Sequence, residues 1–190
     1  PDGMLDYDTL VAASEPLAQS VREWDENDML DLCYTGGTTG LPKGVMLTQR
    51  NVVSNAMHAI MIGFNEQDTW LHVAPMFHLA DAWACYTVTF SGGRHVFIPG
   101  FAPDATLRAI QDNKVTITIL VPTMINFLLA FPGTRDYDLS SLRMILYGAS
   151  PMPVDRLLAA VDLFGPILLQ AYGMTETAPL LTGWRPEWLD

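Results

Sequence analysis

From Thr69 to Gln170, short apolar runs alternate with longer stretches whose apolar residues recur at three- and four-residue intervals. Thr69–Ala74 reads as a strand and Leu79–Phe90 as a helix. His95–Ile98 and Pro103–Asn113 repeat the pair, with Pro103 at a first-turn position. Val115–Val121 with Thr123–Phe131, and Arg143–Tyr147 with Pro153–Phe164, continue it, and Ile167–Gln170 closes the series as a strand. A helix between successive strands is the mark of a crossover connection. The alternation therefore predicts an α/β fold, a mostly parallel sheet flanked by helices. In open sheets of this kind ligands bind beyond the carboxyl ends of the strands. Three unusual segments fall there, Pro75–His78, Gly148–Pro153 and Tyr172–Glu176. They are expected to share one rim.

Upstream, residues 1–28 are acidic and mixed, with weak helical character from Leu10 to Ala18. Met29–Tyr34 and Gly44–Leu47 read as short strands. Thr48 is placed to cap a helix with an apolar stripe of Val52, Val53, Ala56, Met57, Ile60 and Met61, which Gly63 ends. The 190 residues are 49% hydrophobic and 16% charged, the balance of a folded domain. Net charge is -11, and nine of the 21 acidic residues lie between Asp2 and Asp31. No Lys/Arg stripe is present to track a phosphate backbone, which argues against nucleic acid as a partner. Cys33 and Cys85 match no metal or redox spacing and are expected to be buried free thiols. The apolar stretch Val115–Phe131 is interrupted by Pro122 and Asn126, so no transmembrane segment is expected. With nothing resembling a signal peptide, the expected location is cytoplasmic. The chain begins at Pro1 and ends at Asp190 beyond a tryptophan-rich stretch, and reads as a piece of a longer protein.

Between the two upstream strands lies Thr35–Gly44, with Gly36, Gly37 and Gly40, the hydroxyls of Thr35, Thr38 and Thr39, and the single charge of Lys43. Glycines let backbone N–H groups turn toward a phosphate, and the hydroxyls and lysine suit a polyphosphate. A Walker A loop needs Gly-Lys-Ser/Thr opening a helix. Lys43 instead stands between Pro42 and Gly44, which disfavours a P-loop NTPase. An acidic chain repels nucleotide at long range, so local devices of this kind are what must hold it.

Thr35–Gly44 resembles the signature loop of the adenylate-forming, AMP-binding superfamily. That superfamily includes acyl-CoA synthetases, the adenylation domains of peptide synthetases and beetle-type luciferases. The resemblance implies that Thr35, Gly36, Gly37, Thr38, Thr39, Gly40 and Lys43 hold the β- and γ-phosphates of ATP. Gly36 stands where serine is common, and Gln49 where histidine is frequent. Tyr172–Glu176 resembles the second signature, which implies that Tyr172 stacks on adenine, Thr175 contacts phosphate and Glu176 binds Mg²⁺. Glu176 is the one carboxylate between Asp162 and Glu187, and Mg²⁺ takes hard oxygen ligands shared with phosphates. Gly148, Ala149, Ser150 and Pro151 resemble the other wall of the adenine pocket, with Gln170, Ala171 and Gly173 beside it. Ser150 is no hydrolase nucleophile on this pattern, because Met152 replaces the last glycine of Gly-x-Ser-x-Gly.

Met76, Phe77 and His78 resemble the segment lining the acyl site, where His78 would either gate that site or meet the reacting carboxylate and α-phosphate. Amino-acid-activating relatives usually carry aspartate there, so His78 points to an acid without an α-amino group. His58, His72 and His95 are read as structural, with no zinc spacing. The resemblance implies part of the large N-terminal domain of an AMP-forming acyl-CoA synthetase. Its substrates would be a fatty or related carboxylic acid, ATP and coenzyme A, with Lys43, His78, Thr175 and Glu176 as the catalytic residues. Amino-acid adenylation, a luciferase-like relative and a non-catalytic nucleotide-binding module are the alternatives. Residues 1–68 would belong to a first subdomain, 69–181 to an α/β subdomain carrying the rim, and 182–190 to a following segment. The later ribose-binding aspartate, the hinge and the C-terminal domain with its lysine are absent, so this piece alone is expected to be inactive.

Overall fold

Trp70, Leu71, Ile117, Ile145, Leu146, Leu168 and Leu169 are each at most 1% exposed, so neighbouring positions that point to opposite faces are covered alike. Strands covered on both faces are what a parallel sheet between helical layers requires. The computed structural model describes residues 6–15, 23–36 and 40–184. A short helix α1 (Tyr7–Ala13) is followed by an antiparallel pair, β1 (Met29–Thr35) and β2 (Lys43–Thr48), and by α2 (Gln49–Met61). Then come β3 (Thr69–His72), α3 (Leu79–Phe90), β4 (Arg94–Phe97), α4 (Pro103–Asn113), β5 (Ile117–Ile119) and α5 (Pro122–Ala130). The described chain ends with β6 (Met144–Gly148), α6 (Val154–Phe164), β7 (Leu168–Gly173) and β8 (Leu180–Trp184).

The six-stranded sheet has the order β4-β3-β5-β6-β7-β8, parallel except for β8. The chain steps outward from β3 to β4, returns past β3 to β5, and then moves only one way. Right-handed crossovers place the helix of the first step on one face and the helices of the later steps on the other. The cores agree. Leu107, Ile110, Ile125, Leu128 and Ala160 of α4, α5 and α6 pack on Leu71, Ile145 and Leu168. Trp83, Ala84 and Val88 of α3, with Ala59 of α2 and Phe64, pack on Trp70, Ile117, Leu146 and Leu169. The reversal puts a switch point between the carboxyl ends of β3 and β5, and Pro75–His78 leaves β3 there.

Helix bounds follow local chemistry. Thr48 and Asn51 form a reciprocal capping box at α2, with Asn51 N–H donating to Thr48 Oγ1 at 3.2 Å. Pro103 and Pro122 open α4 and α5, so α5 begins one residue before the predicted Thr123. Gly63, at φ 101°, takes the left-handed position beyond α2. The predicted α2 stripe is corrected. The buried face is Val52, Asn55, Ala56 and Ala59, while Val53, Met57, Ile60 and Met61 are exposed. Four buried residues at i, i+3, i+4 and i+7 lie on one side of a helix, and an asparagine in that register disguised it. The strand β8 was not predicted, and it runs across position 181/182. Cys33 and Cys85 are free but half-buried rather than buried, and burial, ahead of Asp31 and Asp81 respectively, raises each thiol's pKa. Among the described residues no helix is long and apolar enough to cross a membrane.

At the amino ends of the strands a polar clamp joins three of them. Asp68, 3% exposed, accepts from Arg143 Nε at 2.7 Å, from Thr116 Oγ1 at 2.9 Å and from Asn65 N–H at 2.9 Å. Burial alone would raise the Asp68 pKa, but the Arg143, Asn65 and Thr116 hydrogen bonds outweigh it and the net shift is downward.

Candidate active site

The β1–β2 hairpin holds the two limbs of the glycine-rich loop. Thr35 pairs with Lys43, and Thr35 Oγ1 lies 3.4 Å from the Lys43 carbonyl. Gly37, Thr38 and Thr39 lie outside the described residues. A Cβ added at Gly36 or Gly40 would meet nothing within 4 Å, so the protein's own packing does not account for glycine there. Open space beside the backbone is what a phosphate cradle needs. Lys43 is exposed and makes no ion pair among the described residues, leaving its ammonium free for an anion.

Beyond β3, His78 is the N-cap of α3 but makes no side-chain cap; its carbonyl accepts from the Asp81 and Ala82 N–H groups, each at 3.2 Å. Its ring stays exposed, 4.6 Å from that of Phe77, which is 80% exposed. Met76 is exposed beside them. No side chain caps the start of α3, although its first turn carries Asp81, and a helix N-terminus is a favourable setting for a carboxylate or phosphate.

Beneath the start of α3 lies a chain of polar contacts, buried at its Asp81–His72 end, that sequence reading missed. Asp81 Oδ1 accepts from Trp70 Nε1 at 3.0 Å and meets His72 Nδ1 at 3.0 Å. His72 Nε2 is 2.9 Å from His95 Nδ1, and His95 Nε2 is 3.0 Å from Thr89 Oγ1. His72 is 2% and Asp81 0% exposed. His72 and His95 thereby tie β3 and β4 to Asp81 and Thr89 of α3, and burial, ahead of the neighbouring His72, lowers the His95 pKa.

The second wall comes from the carboxyl ends of β6 and β7. Gly148 pairs with Ala171, and a Cβ on Gly148 would collide with the Ala171 carbonyl. The absent side chain is therefore needed by the strand pair itself, whatever also approaches it. Ala149 follows at φ 65°, a left-handed conformation rare for a residue with a Cβ and concentrated at functional sites. Ser150 and Pro151 are exposed. Alternation places Gln170 and Tyr172 on one face of β7 and Ala171 on the other, where Ala171 packs against the α3-side core. Gln170 and the Tyr172 ring, 59% exposed, are both open to solvent. Gly173 lies so close to the Pro179 carbonyl that no side chain fits.

Thr175–Thr177 forms one 3-10 turn, caged by Met174 N–H donating to Thr177 Oγ1 at 3.0 Å. Thr175 is half-buried and Glu176 exposed. A small cluster gathers these pieces: Leu47 of β2, Val52 of α2, Leu79 beside His78, and Ala178 two residues beyond Glu176. The hairpin with Lys43, the start of α3 with His78 and the turn with Thr175 and Glu176 therefore share one apolar floor. Among the described residues no group of three His, Cys, Asp or Glu side chains is arranged to hold a metal ion. The exposed carboxylate of Glu176 is a hard oxygen donor of the kind Mg²⁺ takes, an ion that keeps waters and is held largely by substrate phosphates.

The sequence model of one family, described as AMP-binding enzyme, matches residues 2–189. The chain belongs to that family. It is 36% identical over 188 residues to indoleacetate–CoA ligase of Aromatoleum aromaticum, covering 98% of this chain and 37% of that protein. It is 34% identical over 181 residues to a medium/long-chain-fatty-acid–CoA ligase of Mycobacterium tuberculosis, covering 94% and 31%. Among solved structures, o-succinylbenzoate coenzyme A synthetase of Bacillus subtilis in complex with AMP superposes with a TM-score of 0.83 at 32% identity, covering 97% and 38%. The chain thus spans 31–38% of the length of these relatives.

Proposed function

We propose that the protein carrying this chain is an AMP-forming acid–CoA ligase, and that the chain supplies its ATP-holding and acid-facing rim. The observation that carries this reading is the shared floor of Leu47, Val52, Leu79 and Ala178. The elements packed on that floor carry Lys43, His78 and Glu176, which supports the reading. In the first step a carboxylate oxygen of the acid attacks the α-phosphorus of ATP, the bond to the β-phosphate breaks, and pyrophosphate leaves. In the second the thiol of coenzyme A attacks the acyl carbon, its proton passes to solvent, and the bond to AMP breaks.

Within the first step, Lys43 and the N–H groups around Gly36 and Gly40 neutralise the β- and γ-phosphates, with Gly37, Thr38 and Thr39 completing the loop. Thr175 donates its hydroxyl to phosphate, and Tyr172 stacks on adenine against Gly148, Ala149, Ser150 and Pro151. His78 and the α3 N-terminus meet the carboxylate as it approaches phosphorus. Glu176 would hold Mg²⁺, which would supply charge neutralisation of the triphosphate. Catalysis on this reading is positioning and electrostatics, with no covalent enzyme intermediate. His78, in place of a carboxylate that would pair with an ammonium, favours acids without an α-amino group. The exposed Met76 and Phe77 favour an apolar acyl or aryl portion.

The test is acid-dependent exchange of pyrophosphate into ATP by the full-length protein, across fatty, aryl and amino acids. Exchange with fatty or aryl acids is expected. Exchange with none removes the ligase reading, and exchange only with amino acids moves the protein to the amino-acid-adenylating branch. Thioester formation by residues 1–190 alone would overturn the expectation that this part is inactive by itself.

A further inference from the structure

Asn55 occupies the middle of the buried face of α2 and is 4% exposed. Its Nδ2 donates to the carbonyls of Thr177 at 3.0 Å and Leu180 at 2.8 Å, and its Oδ1 accepts from the Leu180 N–H at 3.4 Å. Two carbonyls facing one end of the amide fix that end as the nitrogen, so its orientation is determined by its partners. These partners lie 122 and 125 residues further along the chain. They bracket Ala178 and Pro179, where the chain reverses from the Thr175–Thr177 turn into β8 with Ala178 at φ 65°. Pro179 has no N–H to give, so the reversal lacks part of what a backbone ladder would provide. Asn55 supplies hydrogen bonds to it from outside.

At its other end, Asn55 is joined to Lys43 by nothing but regular structure. Lys43–Thr48 is strand, Thr48 caps α2 through Asn51, and α2 runs unbroken through Asn55. β2 also packs directly against the Thr175–Thr177 turn. A polar side chain in a buried helix face is costly unless fully paired, and here the pairing goes to the segment that carries Glu176. We propose that Asn55 is a positioning residue that fastens the Thr175–Glu176 turn to the strand and helix leading from Lys43. It thereby sets the separation at which Lys43 and Glu176 grip a single metal-bound triphosphate. Asn55 touches neither phosphate nor metal.

This inference rests on the ATP-activating reading above and deepens it. It requires that loosening the link weaken binding of the triphosphate, which spans Lys43 and Glu176, while sparing AMP, which needs only the adenine wall. The test is calorimetric titration of MgATP and of AMP into the full-length protein, wild type against Asn55→Ala, with Asn55→Ser as a second variant that keeps one short donor. Pyrophosphate exchange is measured in parallel. Both variants are expected to lose about 10- to 100-fold in MgATP affinity or exchange kcat, serine less than alanine. AMP affinity and the KM for the acid should stay within about twofold. Equal weakening of MgATP and AMP, or a lower melting temperature with unchanged kinetic constants, overturns the inference and leaves Asn55 as a packing residue. Failure of the ligase reading shows separately, as absence of exchange in the wild-type protein, and the MgATP-to-AMP comparison is still read.

Discussion

Gly148→Ala tests whether the rim is held by the sheet. The added Cβ would stand 3.2 Å from the Ala171 carbonyl carbon and overlap its oxygen, and Ala171 is the residue that Gly148 faces across the β6–β7 pair. Relief requires the two strand ends to separate by on the order of 1 Å, given a favourable contact distance of about 3.5 Å. Overpacking of this kind costs about 1–3 kcal/mol, and loss of the terminal ladder bond adds about 1 kcal/mol. The sum, roughly 2–4 kcal/mol, corresponds to a fall in melting temperature of about 4–16 °C at 2–4 °C per kcal/mol for a domain of this size. The displaced strand end carries Tyr172, so AMP affinity should fall together with Tm. Gly100→Ala is the control, because its Cβ would meet nothing within 4 Å, and it should change stability by less than about 1 kcal/mol. Thermal denaturation by circular dichroism and AMP titration read both effects. A Gly148→Ala protein that melts within 1–2 °C of wild type, an interval worth less than about 1 kcal/mol, refutes the close-approach argument.

Arg143→Ala leaves Asp68 buried with its main cation gone. Because the arginine side chain is itself 36% exposed, the loss in unfolding free energy should be about 2–4 kcal/mol, below the full cost of breaking a buried pair. Its acid denaturation should also change. Asp68 in the native clamp has a lowered pKa, so its contribution is present above the unfolded value and lost as pH falls through the folded one, and the variant should lack that loss. His95 acts with the opposite charge, since burial disfavours its imidazolium. The unfolded chain takes up its proton first, so stability should decline as pH falls below about 6.5 and level off below the lowered folded value. His95→Gln should flatten that slope in denaturant titrations run from neutral to mildly acidic pH. Lys43→Ala should reduce pyrophosphate exchange by about 10²–10³-fold with an unchanged circular dichroism spectrum.

What the sequence showed depended on periodicity. The helices α3 and α4 were predicted with both ends correct because their apolar spacing is regular and Pro103 marks a start. The order of the sheet was not in the pattern. Strand–helix alternation implies parallel neighbours but does not say that β4 lies outside β3 while β5 lies on its other side. The strand β8 escaped because only Leu180 of its residues is buried, which leaves no inward-outward alternation to read. Asp81, His72 and His95 sit on three elements at separations of 9 and 23 residues, so no motif announces their contact. Asn55 was visible only as a break in an apolar stripe. The signal was its place at i+3 from Val52 with Ala56 and Ala59 following, a register in which an unpaired amide is not tolerated.

The rim is therefore fixed in two ways of unequal strength. Gly148–Pro151 and Gln170–Gly173 extend from central strands whose cores are backed by helices on both faces. Lys43, His78, Thr175 and Glu176 do not belong to those strands. Among the described residues, the floor beneath the elements that carry them has four buried apolar residues, Leu47, Val52, Leu79 and Ala178, with half-buried Cys33, Val45, Ala82 and Tyr86 packed against them and the side chain of Asn55 alongside. A small apolar floor resists displacement weakly, because each leucine or valine in it contributes only about 1.5–3 kcal/mol when buried and an alanine less. Hydrogen bonds of fixed direction add what such a floor cannot, a specified distance between groups. In an active site that works by holding opposite charges on one triphosphate, distance is the variable that decides rate. A buried asparagine in α2, unfavourable for the helix alone, is the expected consequence of that demand.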